Sequence, residues 1–402
     1  MKKNKRLLPI LLIVLVCACI LTNVSFGDIA GMPNDMYVNY QEVEQANVGR
    51  RFGRLVNLEF THRDVNTDDS KESCGEIIFK LFGVIPIKKV SVKLLPEEDV
   101  YVGGNVIGLS IDTNGAMVVS NSSVNALSGD IVKNEFIENG DVIQRLNDVE
   151  ITSVADLTQA LKQAEGEYAS LTIFRNGKVH YVELPLIKDD GNYKLGIWVR
   201  DDVSGVGTLT FVLADSGKYG ALGHAIANGD DKNIIPITNG KIYECNLVNI
   251  EKGKRNKPGE LQCVFIEKNS KGSIEKNTNV GIFGKLEDGG SIIDINKSAK
   301  LGGRLSVKPG LAKLISCVSG IQEEYDIEII KVHSQKASSD KSFVFRVKDE
   351  RLLRLTGGIV QGMSGSPIMQ DDKIVGAVTH VFISDATKGY GVYTDWMLEN
   401  LQ

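Results

Sequence analysis

Residues 357–367 read Gly-Gly-Ile-Val-Gln-Gly-Met-Ser-Gly-Ser-Pro and set Ser364 between Gly362 and Gly365. The apolar pair Ile368-Met369 follows, then polar Gln370-Asp371-Asp372-Lys373, then Ile374-Val375-Gly376-Ala377-Val378. A serine on a sharp glycine-flanked turn between two strands is well placed to attack a carbonyl carbon. Small neighbours let backbone N–H groups turn toward the oxygen that gains charge. The same letters also suit a plain hairpin corner, because Gly, Ser and Pro are ordinary turn residues.

A serine hydroxyl needs a base, most often histidine, and the chain has five. His62 falls in a polar segment, His180 in a predicted hairpin, and His333 at the end of a strand pattern. His380 follows the strand pattern 375–379 and could lie close to Ser364. His224 sits among small residues in Tyr219-Gly220-Ala221-Leu222-Gly223-His224-Ala225-Ile226, which leave its ring accessible. His224 and His380 are therefore the two candidate bases. A carboxylate that orients the imidazole would complete the set. Asp349 precedes a short helical pattern at 350–355, where capping the helix is the competing role. Asp215, Asp230 and Asp385 are rivals.

The rest of the chain must position these groups. Its 402 residues allow two or three domains, and 42% hydrophobic with 24% charged residues is ordinary globular composition. Forty-one glycines with 6% aromatics predict many turns and short strands. The net charge is −5 although four positive charges fall in the first six residues, which argues against a nucleic-acid partner. Those charges precede an uncharged run from Leu7 to Gly27, so residues 1–27 read as a signal peptide or membrane anchor and the body as exported. Ser25-Phe26-Gly27 offers small residues for cleavage. Of six cysteines, Cys17 and Cys19 belong to that segment, and Cys74, Cys245, Cys263 and Cys317 form no Cys-x-x-Cys. Zinc knuckles and thioredoxin chemistry find no support, and reduced, buried thiols are expected.

Residues 28–75 are polar and read as a linker with little core of its own; with the strand pattern around Val90-Ser91-Val92 they make an N-terminal linker and β-region, 28–100. Residues 101–187 read as one compact α+β module. Within it, Ile107-Gly108-Leu109-Ser110-Ile111 is a strand and Asn114-Gly115 a hairpin turn into 116–119. Gly140-Asp141-Val142-Ile143 comes next, then a helix capped by Ser153 with Val154, Leu157, Ala160, Leu161 and Ala164 at helical spacing. A hairpin around Asn176-Gly177 closes the module. This order resembles a PDZ domain, which implies an extended peptide ligand added between the 107–111 strand and the 153–165 helix. Residues 188–402 show short strands with turns at close intervals, the pattern of a pair of β-barrels. The basic turn 252–260 and the polar loop 334–342 read as solvated connections.

Several stretches closely resemble the stage IV sporulation protein B peptidases of endospore-forming bacteria. They are Leu195-Gly196-Ile197-Trp198-Val199-Arg200-Asp201-Asp202, Gly205-x-Gly207-Thr208-Leu209-Thr210-Phe211, Ala221-Leu222-Gly223-His224, Lys257-Pro258-Gly259-Glu260-Leu261, residues 357–367, Gly376-Ala377-Val378-Thr379-His380-Val381-Phe382 and Tyr390-Gly391-Val392. The resemblance implies a mainly β fold, a trypsin-like double β-barrel peptidase domain behind the PDZ-like module. It implies Ser364 as nucleophile, His224 as base and Asp349 as orienting acid, with the N–H groups of Gly362 and Ser364 as the oxyanion hole and no cofactor or metal. The fifteen residues from Asp349 to Ser364 are far fewer than trypsin-like enzymes use, and Ala225 stands where the family commonly has glycine. The implied function is a serine endopeptidase secreted from the forespore into the intermembrane space. It would clip itself and a membrane-bound regulator of an intramembrane protease, so that a late sigma factor precursor is processed. A quality-control protease with a PDZ module and a non-catalytic PDZ adaptor are the alternatives.

Overall fold

The computed structural model describes residues 29–38, 56–62, 75–97, 99–121, 124–125, 131–132, 136–175, 177–189, 191–228, 233–235, 237 and 239–401. The expected signal or anchor segment, Cys74 and Asp230 lie outside them. No helix among the described residues is long and apolar enough to cross a membrane.

The fold is mainly β, and its centre is a pair of barrels. Six antiparallel strands close the first: Val106–Asn121 pairs with Ile197–Leu213, then follow Lys218–Ala221, Gly281–Leu286, Glu260–Thr278 and Asn239–Glu251, which returns to Val106–Asn121. Successive side chains of a strand point to opposite faces, so Ile107, Leu109 and Ile111 fill the inside with Leu209, Tyr219, Ile242, Ile274 and Ile282. The second barrel closes in the same manner. Gly310–Ser316 pairs with Glu323–Val332, then come Phe343–Val347, Asp385–Tyr393, Lys373–Phe382 and Pro367–Gln370, which pairs back to the first. Leu314, Tyr325, Ile327, Phe343, Phe345, Ile368, Ala377 and Val392 pack its interior. Closing each sheet on itself removes the exposed edges that would invite aggregation.

A smaller α+β module sits on the far halves of the two long strands. Val142–Leu146, Tyr168–Arg175 and Lys178–Pro185 extend the sheet from Ala116 and Met117, and the helix Val154–Lys162 covers it. Ser153 Oγ accepts the N–H of Asp156 at 3.1 Å, and the helix buries Leu157 and Ala160. Asp141, 1% exposed, holds Arg175 Nε at 2.6 Å and so ties the Gly-Asp-Val-Ile turn to the neighbouring strand.

Three expectations are corrected. Asn114-Gly115 is not a hairpin turn: φ of 50° and 150° bend one continuous strand, and both halves pair with Ile197–Leu213 rather than with each other. The 107–111 segment consequently belongs to the first barrel, and the module boundary at 101–187 cuts through it. Both its edges are taken, by Ile197–Leu213 and Asn239–Glu251, so no peptide can add there. The helix packs on Asn192–Lys194, Ile197–Leu213, Val142–Leu146 and Val106–Asn121. Nor is 28–75 a coreless linker. Asp35–Val38, Val56–His62, Gly75–Leu81 and Ile85–Leu94 form a four-stranded sheet around Met32, Met36, Val38, Val56, Ile77, Phe79, Val90 and Val92.

The C-terminal helix Thr394–Leu398 is buried against the second barrel, where Arg304 Nε meets Asp395 Oδ2 at 2.5 Å. Both side chains are almost wholly enclosed, and the guanidinium lies 4.0 Å from the Trp396 ring centroid. A buried charge that loses its partner has nowhere to find water. Asp395→Ala should lower stability by about 3–5 kcal/mol, read as a fall in the urea midpoint; a change below about 1 kcal/mol would mean the pair is dispensable.

Candidate active site

The nucleophile turn belongs to the second barrel, immediately before Pro367–Gln370, but the first barrel holds it. Thr208 N–H donates to Ser364 O at 2.8 Å, Thr208 Oγ1 to Gly362 O at 2.7 Å and Thr210 Oγ1 to Gly365 O at 2.8 Å. Both threonines are 0% exposed. Gly365 has φ of +98°, and a Cβ there would collide with Thr208 O and Leu222 N. Only glycine allows this approach. Ser366 is fully buried, whereas Ser364 retains access. Among the described residues the N–H groups of Gly362 and Ser364 have no protein acceptor.

His224 comes from the first barrel, just beyond Lys218–Ala221. Leu222 and Gly223 ahead of it have φ of 66° and 72°. A Cβ on Gly223 would stand 3.0 Å from Thr379 Cγ2 and 3.1 Å from Val378 O, so the histidine loop is packed on the strand that follows the nucleophile. Ser364 Oγ donates to Thr379 O at 2.9 Å. His380, next in sequence, brings its ring centroid to 4.9 Å from that of His224, at 42° between planes. The two candidate bases therefore converge on one place with Ser364. His224 Nδ1 is 2.8 Å from Ala225 O, and a carbonyl can only accept, so Nδ1 carries the hydrogen and Nε2 a lone pair. Enclosure by protein lowers the His224 pKa below the usual imidazole value, while the Ala225 bond and the charge of Asp340 oppose the shift.

The carboxylates separate differently from expectation. Asp349 caps the helix Glu350–Thr356, accepting Arg351 N–H at 2.8 Å and Asp326 N–H at 3.3 Å, with an ion pair to Arg351 at 2.9 Å. The Arg351 guanidinium and these N–H donors pull its pKa down to about 2. It lies beyond the Val347 end of the strand Phe343–Val347, whereas Ser342 at the opposite end bonds Gly391 O beside the histidines. Five residues of strand separate the two ends by roughly 16 Å, and the structure does not bring Asp349 to either histidine. Asp385 is held by Thr387 and Lys388, and Asp215 lies in the turn after Ile197–Leu213. The carboxylate that reaches the histidines is Asp340, Oδ2 lying 3.6 Å from His380 Nδ1. Sequence reasoning missed it inside a polar loop with no periodicity. His180 is exposed on the module, and His333 serves the backbone, its carbonyl accepting Tyr393 OH at 2.8 Å. His62 ends the strand Val56–His62 in the N-terminal sheet. Among the described residues no cluster of three His, Cys, Asp or Glu could hold a metal ion.

The family model described as SpoIVB peptidase S55 matches residues 191–398, more than half of the chain. The chain belongs to the S55 peptidase family. It is a serine peptidase. Among solved structures, the active form of the Rv3671c protease from M. tuberculosis is similar at 12% identity, covering 50% of this chain and 73% of that one, with a TM-score of 0.28. The PDZ domain of the SdrC-like protein from Listeria monocytogenes is similar at 15% identity, covering 21% and 87%, with a TM-score of 0.18. A comparison with curated proteins finds no match.

Two outcomes follow for this S55 peptidase. Thr208→Val strands the buried carbonyl of Gly362, which should cost about 1–3 kcal/mol. Fluorophosphonate labelling of Ser364 should slow on the order of tenfold to a hundredfold through misplacement of the turn; unaltered labelling would show that the threonine does not hold it. The second concerns pH. A base must be neutral, and a lowered pKa keeps His224 neutral further into acid. Labelling should therefore persist at high pH and decline with a midpoint below the usual histidine value of about 6.5. A midpoint above that value would contradict the enclosure of His224.

Proposed function

We propose that this S55 peptidase is the signalling endopeptidase of sporulation, exported from the forespore into the intermembrane space. There it cleaves itself and a membrane-bound regulator of an intramembrane protease, which then processes a late sigma factor precursor. The observation that supports the catalytic part is that Ser364 Oγ bonds the carbonyl of Thr379 while the ring of the next residue, His380, lies 4.9 Å from that of His224, which comes from the other barrel. In this reading Ser364 Oγ rotates from Thr379 O and bonds to the substrate carbonyl carbon while its proton passes to His224 Nε2. The carbonyl oxygen takes up negative charge against the N–H groups of Gly362 and Ser364. The C–N bond then breaks, the amine leaves with the proton from His224, and water releases the acyl group by the same steps. Asp349 keeps its place as a helix cap.

The α+β module supplies a place for partner chains. At its start Ile197–Leu213 pairs through Ile197, Trp198, Val199 and Arg200 with Asn121 to Met117, on one edge only among the described residues, and the helix Val154–Lys162 packs nearby. An extended segment adding along the other edge would be recognised through its main chain. Residues 1–27 would hold the enzyme at the membrane.

The test uses the full chain and its Ser364→Ala variant in mild detergent. The wild type should fragment itself, and the variant should remain intact yet be cut when wild-type enzyme is added. Equal fragmentation of both would remove Ser364 from the chemistry.

A further inference from the structure

We propose that Asp340 is the positioning carboxylate of this active site, acting through His380, whose ring neighbours both it and His224. The inference rests on the reading of Ser364 and His224 as nucleophile and base. Asp340 is fixed on both sides. Its carbonyl accepts Thr379 Oγ1 at 2.7 Å, and Thr379 is the residue whose own carbonyl accepts Ser364 Oγ. Its side chain lies 3.6 Å from His380 Nδ1, and the His380 ring lies 4.9 Å from that of His224.

The loop that carries Asp340 is anchored to both barrels. From the first barrel, Asn279 Nδ2 donates to Ser338 O at 3.1 Å and Ser338 Oγ at 3.0 Å. Within the second, Gln335 Oε1 accepts Trp396 Nε1 and Ser342 Oγ, each at 2.9 Å, and Gln335 Nε2 donates to Lys341 O at 2.9 Å. Such ties hold in place the stretch of main chain that carries Asp340.

The chemistry needs a negative charge at this point. When His224 takes the Ser364 proton it becomes a cation in an enclosed site, and its Nδ1–H faces only a neutral carbonyl. Asp340 offers the compensating charge, and the His380 imidazole, next to both groups, carries the contact. Cations nearby are directed elsewhere, with Lys341 Nζ over the Tyr390 ring and Lys388 paired to Asp385. Asp349 cannot serve, being committed to Arg351 at the far end of the strand.

Asp340→Asn separates this role from folding, because the bond from Thr379 uses the main chain and survives. The full-length protein would be treated with a fluorophosphonate, and kinact and KI measured for wild type, Asp340→Asn, Asp340→Glu and Asp349→Asn, alongside thermal melting. Asp340→Asn should lower kinact by at least about tenfold with KI and Tm unchanged, and Asp340→Glu should recover part of the loss. A loss of Tm without the kinact effect in the folded fraction would mean a structural role and overturn the proposal. So would labelling of Asp340→Asn at the wild-type rate, with Asp349→Asn slow instead. Wild-type protein that is folded yet unlabelled at Ser364 would overturn the nucleophile assignment and this inference together.

Discussion

The seat of the Ser364 turn depends on two buried threonine hydroxyls. Thr208 and Thr210 lie on the same face of one strand of the first barrel and bind the carbonyls of Gly362 and Gly365, which belong to the second. Each such bond contributes only about 1 kcal/mol net, but leaving a buried carbonyl unmatched costs more. The turn therefore has one stable seat. The bonds also decide geometry: with the carbonyls of Gly362, Ser364 and Gly365 engaged on the barrel, the N–H groups of Gly362 and Ser364 are left without acceptors among the described residues. Glycine at 365 is a condition of that seat, since any Cβ would meet Thr208 itself.

The electrostatics of the site follow from its location between the barrels. Enclosure favours the neutral imidazole, which a base requires before the reaction but which opposes the cation formed during it. The Ala225 carbonyl fixes the tautomer without supplying charge. Asp349 illustrates how helix capping and an ion pair can strongly perturb a carboxylate away from the histidines. Its low pKa arises from Arg351 and helix N–H groups, an arrangement that stabilises a helix end.

The glycine-flanked turn at Ser364 and the paired barrels were legible because both are local patterns: glycine spacing around Ser364, and period-two strands between close turns. The small-residue loop that carries His224 was legible for the same reason. What failed was whatever depends on distant pairing. Asn114-Gly115 has the letters of a hairpin, yet a partner strand seventeen residues long was available to both flanks, and pairing with it won. The first two strands of the N-terminal sheet escaped notice because Met36, Val38 and Val56 are scattered among polar segments and form a core only when four strands assemble. Asp340 gave no signal, since its relation to His380 arises from loop anchoring by Asn279 and Trp396, far away in sequence.

The same long strands bear on what counts as the peptidase. The family match begins at residue 191, but the first barrel is closed by Val106–Asn121, which lies upstream. Without that strand, Val203 to Thr208 and Asn239 to Glu244 would each lose a ladder of main-chain bonds, and the apolar interior around Leu209 and Ile242 would open to water. Thr208 stands at the last position of that pairing, opposite Val106. A one-residue slip of an unpaired strand would turn its hydroxyl to the other face. The α+β module occupies the other end of these two strands, so it is continuous with the element that seats the nucleophile. It is part of the enzyme's framework rather than an appendage joined by a linker.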